Sequence, residues 1–366
     1  MLARMDDHIR LKGLVQRRLD DFLSGHRAAA LEIGEDLVPL LDAAQEFLSS
    51  GKRFRAYGVY LGFLSAQRIA LAVPSPQRDC IVAAATALEL FQAAALIHDD
   101  IIDQSDTRRG RTSIHRQFEQ HHRANSWSGS AEHFGVSVAL LLGDLLHSWA
   151  DEVFHEAVQG ATSVEGGEKA RQQFNLMRTE VSYGQYFDTL EEQQTGFADH
   201  DTQLERSTRI LLYKTAKYSV EAPLLIGAHL GAASDDTLDA LSRFGIPAGV
   251  AFQLRDDILG VFGDPEVTGK PAGDDLISGK RTVLVTLARD PLPFTQQRVF
   301  DDMLGSDVEP EQLEMLQRTI RESGALEKVE TLISRNAELA QEAAEGAGFA
   351  ARKLKELAQQ LAFRAT

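Results

Sequence analysis

Hydrophobic positions recur through most of this chain with the spacing of α-helices, and strand-like alternation is scarce. Glycine, proline and serine punctuate the intervening stretches. The pattern predicts helices at Leu11–Leu23, Ala28–Leu48, Arg53–Leu71, Arg78–Asp103, Val136–Ala157, Glu168–Glu191, Leu204–Leu230, Asp236–Phe244, Pro247–Phe262 and several after Glu309, with polar loops at Gln120–Gly135, Gly160–Gly167, Gln193–Thr202 and Gly263–Gly279. Because no repeat or linker divides the chain, we expect one all-α domain over residues 1–366.

Two of the predicted helices, Arg78–Asp103 and Pro247–Phe262, are apolar on nearly all sides. This pattern is typical of helices in the middle of a large helical bundle. The longest apolar run, Ile81–Ile97, is broken by polar residues, so it predicts a core helix and no integral membrane segment. Both helices carry acidic residues toward their C-terminal ends, so the candidate functional residues are expected there.

Composition narrows the class of protein. The chain has 366 residues, of which 43% are hydrophobic and 25% charged, as in globular proteins. Its net charge of -16 argues against nucleic-acid binding, so an anionic ligand would need a local group of basic side chains. Cys80 is the single cysteine, and the first residues lack the layout of a signal peptide, so a cytoplasmic location is expected.

The first acidic cluster lies at the end of the helix predicted at Arg78–Asp103. Asp99 and Asp103 are four residues apart and share a helix face, with Asp100 beside them. Like charges at this spacing repel each other, and carboxylates are unfavourable near a helix C-terminus. The cluster therefore predicts a bound cation.

A second acidic pair, Asp256 and Asp257, lies on the other apolar helix. One such cluster alone would more often be a solvated helix end, but two on two buried helices are harder to explain in that way. Mg²⁺ prefers carboxylate, water and phosphate oxygens and rarely uses a cage made of protein alone. The two clusters together predict Mg²⁺ held between protein and a phosphorylated substrate.

Basic residues accompany both acidic clusters. Lys52, Arg53 and Arg55 open a predicted helix, where free backbone N–H groups favour an anion. Further basic residues follow each cluster or lie within a nearby helix: Arg108, Arg109, Lys214, Lys270, Lys280 and Arg281. Arginine binds phosphate groups with a forked geometry and lysine as a point charge. The set predicts a diphosphate pocket.

On these motifs the chain resembles the trans-isoprenyl diphosphate synthases, or polyprenyl synthetases, and is most similar to bacterial geranylgeranyl diphosphate synthases. The resemblance runs from about Gly51 to Thr282. It implies a single large helical bundle of the isoprenoid synthase type with a central tail-binding cavity, and a homodimer. It also implies an enzyme that condenses isopentenyl diphosphate with allylic diphosphates into an all-trans product.

The resemblance assigns roles to individual residues. Isopentenyl diphosphate would be held by Lys52, Arg55, Gln92 and Arg109. The allylic diphosphate would contact Arg108, Lys214 and Lys270, with three Mg²⁺ ions bridging it to Asp99, Asp100, Asp103, Asp256 and Asp257. Lys280 is a further residue expected to bind substrate. Thr215, Gln185 and Gln253, together with Lys214, would line the reacting end, and Asp188 follows Gln185 at the spacing typical of the family. Hydrogen bonding between helices is an equally good reading for the threonine and the two glutamines.

Three positions depart from the family pattern. Gly260 replaces the third acid of the second motif, which leaves Asp256 and Asp257, with Asp274 as a candidate for the third acid. Ser50 precedes Gly51 where the family has two glycines, and Ala56 stands where proline is common. The change at Gly260 bears on metal binding most directly.

Product length is predicted from the helix before Asp99. Family members that make short products carry a bulky side chain at the positions of Ala94 and Ala95, where it forms the floor that closes the tail pocket. Here both residues are small, and the first bulky residue, Phe91, lies farther from Asp99. At the helical rise per residue, Phe91 is about 12 Å from Asp99 along the axis. The expected product is longer than farnesyl diphosphate, and geranylgeranyl diphosphate fits best. Plain core packing is the alternative reading for Phe91.

Three other functions share parts of this pattern. A longer-chain polyprenyl diphosphate synthase would use the same residues with a deeper floor. A class I terpene cyclase also uses Mg²⁺ and an aspartate-rich helix, but it needs no second diphosphate site, so Lys52, Arg55 and Arg109 argue against it. A non-catalytic subunit of a heteromeric synthase would lose the acids, and only the third acid of the second motif is missing here.

Overall fold

The computed structural model of the chain describes residues 7–194, 196–264, 272–305 and 308–363. Within these ranges the chain is helical except for connecting loops and one short antiparallel hairpin, formed by β1 (Thr107–Arg108) and β2 (Arg111–Thr112). The prediction of an all-α fold is confirmed. The single domain over residues 1–366 and the central tail-binding cavity stay predictions.

The first ten α-helices are α1 (Asp7–Ile33), α2 (Val38–Leu48), α3 (Phe54–Ala66), α4 (Pro76–Ile102), α5 (Ile114–Ala124), α6 (Ala131–Gln159), α7 (Val164–Gln193), α8 (His200–Ile210), α9 (Ala222–Leu230) and α10 (Asp235–Phe262). They are followed by α11 (Asp274–Ile277), α12 (Val283–Arg289), α13 (Phe294–Met303), α14 (Pro310–Glu322), α15 (Ala325–Ala343) and α16 (Ala351–Ala362). Single 3₁₀ turns lie at Glu35–Leu37, Ala344–Gly346 and Gly348–Ala350.

Several predicted boundaries were wrong. The helices predicted at Asp236–Phe244 and Pro247–Phe262 form one helix, α10, with Pro247 inside it. Proline removes one helical hydrogen bond, but residues on both sides of Pro247, including Phe244 and Ala248, are buried, and this packing keeps the helix continuous. Helices α5, α11, α12 and α13 were not predicted, because each is too short to show a clear period.

The helix predicted at Leu204–Leu230 changes its hydrogen-bond register in the middle. Residues Leu211–Glu221 adopt the wider π-helical register between α8 and α9. Such segments are rare and are frequently found at functional sites. This one contains Lys214 and Thr215, two residues that the sequence singled out.

Contacts divide the chain into two compact units. The first contains the described residues up to Gln172 together with Pro223–Ser234. Its central helix is α4, which is the one described helix long and apolar enough to cross a membrane, yet 89% of its most apolar window is buried inside the protein. Helix α6 packs along it, since added Cβ atoms on Gly143 and Gly160 would meet His98 and Cys80 respectively. Burial there raises the pKa of the Cys80 thiol to about 12.

Helices α3 and α9 cross in direct backbone contact within the same unit. A Cβ atom on Gly62 would lie 1.9 Å from the carbonyl oxygen of Leu224, and one on Gly227 would lie 1.9 Å from that of Val59. No side chain fits at either position. This crossing fixes α3, the helix that begins just after Lys52 and Arg53.

The second unit contains the described residues of Gln173–Ala222 and those from Asp235 onward, and α10 carries much of its core. Gly249 of α10 lies against Ala216 of the π-helical segment, where a Cβ atom would be 2.6 Å from the Ala216 Cα atom. On another side, Arg255 donates to both carboxylate oxygens of Glu330, at 2.7 and 2.6 Å, and to the Ala362 carbonyl at 2.9 Å. These contacts set the rotation of α10 and so the placement of the adjacent Asp256 and Asp257.

Candidate functional site

The first unit places the three acids of the first cluster at the end of α4, as predicted. Asp100 is 1% exposed, Asp99 and Asp103 are half-buried, and Asp103 is the C-terminal cap of the helix. Burial of carboxylates at this end of a helix is unfavourable without a cation. The protein supplies one in Arg108.

Arg108 bonds two of these acids. Its Nε donates to Oδ1 of Asp100 at 2.6 Å and its Nη2 to Oδ2 of Asp99 at 3.2 Å. Burial works to lower the pKa of the Arg108 guanidinium, but the hydrogen bond with Asp100 and the nearby carboxylates outweigh it and raise the pKa. The hairpin of β1 and β2 presents Arg108, and its turn has positive φ at Arg109 and Gly110.

A group of basic side chains lies near the start of α3 in the same unit. Lys52 is exposed, Arg55 is half-buried, and Gln92 on α4 is 9% exposed. Arg109 donates to the Ser50 carbonyl at 2.9 Å.

The charge around Arg109 is strongly positive. Burial lowers the pKa of its guanidinium, and the charges of Arg53, Arg108 and Arg55 lower it further, while Glu89 opposes them. Several guanidinium groups are therefore close enough to repel one another. An anion bound among them would relieve that repulsion.

The second unit places Asp257 of the second acidic pair at a cavity, whereas the half-buried Asp256 does not line it. Asp257 is 4% exposed and accepts a hydrogen bond from Nε2 of Gln253 at 2.8 Å. Burial raises the pKa of Asp257 well above its ordinary value; the Gln253 hydrogen bond and Lys280 act in the opposite direction, and Asp275 and Asp256 raise it further. A buried carboxylate with two others nearby would be stabilised by a cation.

The cavity has a volume of about 120 Å³. Its lining brings together most residues that the sequence selected in this unit, namely Asp188, Lys214, Thr215, Gln253, Asp257 and Lys280. Lys214 Nζ contacts Oδ2 of Asp188 at 2.5 Å. Helix α7 packs against the π-helical segment in close backbone contact here: a Cβ atom on Gly184 would be 2.4 Å from the Lys214 backbone nitrogen.

Two residues predicted for this half of the site are placed differently. Gln185 does not line the cavity; its buried Nε2 has no hydrogen-bond partner among the described residues. Lys270 lies outside the described residues.

The structure identifies an acid that the sequence did not single out. A Cβ atom on Gly260 would lie 2.0 Å from Oδ2 of Asp275 and 2.6 Å from its Cγ, so the Asp275 carboxylate occupies the space of a side chain at position 260. Asp275 lines the cavity, whereas Asp274, the acid considered from sequence, does not. The one signal in the sequence was glycine at the third acidic position, with two acids following in the next segment.

The residues predicted to set product length all lie on α4. Phe91 and Ala94 are 5% and 2% exposed, and Ala95 is half-buried. The Phe91 ring packs edge to face against His147 of α6 with 5.5 Å between ring centroids. Phe91 is thus a large side chain fixed between two helices.

The carboxylates suit Mg²⁺ in type, since all are hard oxygen donors. Among the described residues, no group of three or more His, Cys, Asp or Glu side chains is arranged to hold a metal ion by itself. Burial, together with Asp275 and Asp256, raises the pKa of Asp257, so its charged form is disfavoured unless a cation offsets it.

Comparisons with known proteins agree on one family. Residues 38–321 match the sequence model described as Polyprenyl synthetase. A geranylfarnesyl diphosphate synthase of Aeropyrum pernix is 32% identical over 68% of this chain and 70% of its own length. A geranylgeranyl diphosphate synthase of Methanosarcina mazei is 31% identical over 84% of this chain and 85% of its own.

A solved structure agrees with these sequence matches. The geranylgeranyl pyrophosphate synthase from Corynebacterium glutamicum, complexed with isoprenyl diphosphate and magnesium, superposes with a TM-score of 0.89. It is 37% identical, and the match covers 97% of this chain and 99% of that one.

Proposed function

The chain belongs to the polyprenyl synthetase family, and from this premise we propose that it condenses isopentenyl diphosphate with an allylic diphosphate to give all-trans geranylgeranyl diphosphate. The observation that carries the proposal is the pairing, in each unit, of buried carboxylates with lysine or arginine side chains. Carboxylates suit Mg²⁺, and the basic side chains suit diphosphate oxygens.

We assign the binding of isopentenyl diphosphate to Lys52, Arg55, Arg109 and Gln92. The mutual repulsion of the guanidinium groups around Arg109 supports this assignment, because the double negative charge of a diphosphate would offset it. Arg108 bonds Asp99 and Asp100 and is the basic residue nearest the first acids, which supports its contact with the allylic diphosphate.

Departure of the diphosphate is the difficult step. The carbon–oxygen bond of the allylic substrate breaks and its electron pair leaves with the diphosphate, which Lys214, Lys280 and Arg108 stabilise. Asp99, Asp100, Asp103, Asp256 and Asp257 would hold Mg²⁺, proposed as three ions, and the metal would supply further charge stabilisation to the departing diphosphate. Lys214 is oriented for its role by Asp188.

Condensation then follows from charge. The double bond of isopentenyl diphosphate donates its electrons to the allylic cation, a carbon–carbon bond forms, and a proton is lost to the released diphosphate. Thr215 and Gln253 shelter the cation with their oxygen dipoles, and for Gln185, which does not line the cavity, this role stays a prediction. The cavity position of Thr215 and Gln253 supports this role.

The test uses purified protein with Mg²⁺, isopentenyl diphosphate and dimethylallyl, geranyl or farnesyl diphosphate in turn. We expect elongation with products that end mainly at the geranylgeranyl length. An Asp256→Asn variant serves as the control for contaminating activity and should be nearly inactive. The absence of elongation with every primer would refute the proposal, and a cyclic or olefinic product would indicate a terpene cyclase.

Product length gives a further prediction. Replacing Phe91 with alanine removes a large side chain that packs on His147, so we expect products longer than geranylgeranyl diphosphate. The opposite change, Ala94→Phe, fills space nearer Asp99 and should shorten the products. Chromatography of the dephosphorylated products measures both. If Phe91→Ala leaves the product length unchanged, Phe91 is ordinary core packing.

We also propose that the chain forms a homodimer. Leu140 and Leu141 on α6 are 50% and 62% exposed, so two neighbouring leucines lie at the surface of this unit. An exposed apolar patch of this kind is typical of an association surface.

A further inference from the structure

Arg53 lies between two residues assigned to substrate binding, yet it is itself buried. Lys52 is exposed and Arg55 is half-buried, whereas Arg53 is 4% exposed. Arginine is seldom buried to this degree unless its charge is paired and its donors are bonded. The partners of Arg53 therefore indicate what it does.

The Arg53 guanidinium is held by three groups. Nη1 donates to Oε2 of Glu89 at 2.8 Å, and Nη2 donates to Oε1 of Gln16 at 2.8 Å and also to the Leu48 carbonyl. Glu89 is nearly as buried, with 7% of its side chain exposed. The pair ties the start of α3 to the middle of α4, since Glu89 lies one helical turn before Gln92.

The backbone next to this pair is in an unfavourable conformation. Arg53 has φ 53° and ψ 37°, in the left-handed region, and Gly51 has φ 138°. Non-glycine residues rarely adopt left-handed dihedrals, and they do so where the surrounding structure enforces them. Here the enforcing contacts are the bonds of the Arg53 side chain.

The same turn is fastened at its other end by Arg109, which donates to the Ser50 carbonyl at 2.9 Å. His8 Nε2 contacts the Lys52 carbonyl at 2.9 Å. Residues 50–53 are thus held in one shape by side chains from several elements. The exposed Lys52 extends from this fixed turn, and Arg55 follows it on the first turn of α3.

We propose that Arg53 and Glu89 form a positioning pair that holds the turn of residues 50–53 in the shape in which Lys52, Arg55 and Arg109 bind the diphosphate of isopentenyl diphosphate. Neither residue of the pair touches the substrate. The inference rests on the proposed function. It predicts that disrupting the pair weakens the binding of isopentenyl diphosphate and leaves the binding of the allylic substrate nearly unchanged.

The first test is Glu89→Gln, which keeps the shape of the side chain and removes its charge. We expect the KM for isopentenyl diphosphate to rise by about tenfold or more. The KM for the allylic substrate and kcat should change by less than about threefold. Asp42→Asn, which breaks the exposed ion pair of Arg27 with Asp42, is the matched control and should change neither KM.

A second variant separates positioning from folding. In Arg53→Met combined with Glu89→Leu, apolar side chains of similar size replace the buried pair, a kind of exchange that often preserves stability. We expect a melting temperature close to that of the wild type together with the raised KM for isopentenyl diphosphate. Arg53→Lys, which keeps the charge but not the forked geometry, should have an intermediate effect.

Two results would overturn the inference. One is an unchanged KM for isopentenyl diphosphate in both folded variants. The other is an equal rise in the KM values of both substrates together with an equal fall in kcat, which would indicate a purely structural role. If the wild-type protein elongates no primer, the proposed function itself has failed. The wild-type assay thus distinguishes the two failures.

Discussion

Changing Asp275 to asparagine is expected to lower the rate of chain elongation by about 100-fold, a loss typical of removing one charged group from the stabilisation of a transition state. The expectation follows from Gly260: Oδ2 of Asp275 lies where the Cβ atom of a third acid in the second motif would begin. We therefore propose that Asp275 takes the place of that third acid, although it comes from another segment of the chain. The rate is measured with saturating substrates over a range of Mg²⁺ concentrations.

Asp274 is the matched control, because it is adjacent and equally charged but does not line the cavity. Asp274→Asn should change the rate by less than about threefold. The Mg²⁺ concentration for half-maximal activity should rise only in Asp275→Asn. Equal effects of the two substitutions would contradict the assignment of Asp275.

Because Asp275 lies so close to Gly260, its carboxylate can be transferred to position 260 by a pair of substitutions. The double variant Gly260→Asp with Asp275→Gly returns the acid to the helix and should recover activity to within about tenfold of the wild type. Gly260→Asp alone forces the Asp275 side chain away from its place and adds a like charge beside Asp257, so it should be less active than the double variant.

Replacing Arg108 with glutamine is expected to impair both stability and activity. Its guanidinium bonds Asp99 and the almost fully buried Asp100, and removing one partner of a buried ion pair costs about 3–5 kcal/mol of unfolding free energy. Because we propose that Arg108 contacts the departing diphosphate, loss of its positive charge should also lower kcat by about 100-fold. Denaturant unfolding and steady-state kinetics measure the two effects.

Arg111 provides the control from the same hairpin. It pairs with Glu46 at 2.9 Å, but both side chains are more than half exposed. Arg111→Gln should therefore change the free energy of unfolding by less than about 1 kcal/mol. A fully stable and active Arg108→Gln variant would show that the pair with Asp100 matters little.

The features that depend on residues close together in the sequence were predicted from the sequence. Asp99, Asp100 and Asp103 share the end of α4 because a helix fixes their relation, and Arg108 follows after one short loop. Likewise, helical spacing places Gln253 one turn from Asp257, where the two side chains are hydrogen-bonded.

The features that were missed depend on distant contacts. Asp275 reaches Gly260 from α11, beyond residues 265–271, and no local period relates the two positions. The burial of Arg53 requires Glu89 from α4, and the continuity of α10 through Pro247 requires the packing around it. Such properties belong to tertiary structure, which can override local preference.

The crossing of α3 and α9 has a consequence for directed evolution. Gly62 and Gly227 touch the opposing backbone, so every other amino acid at these positions would push the helices apart. Mutant libraries that seek altered products should leave both codons unchanged and place their diversity on α4. In a deep mutational scan, these two glycines should be among the positions most depleted of substitutions, although the nearest atoms that an added Cβ would meet are backbone atoms and belong to no charged side chain.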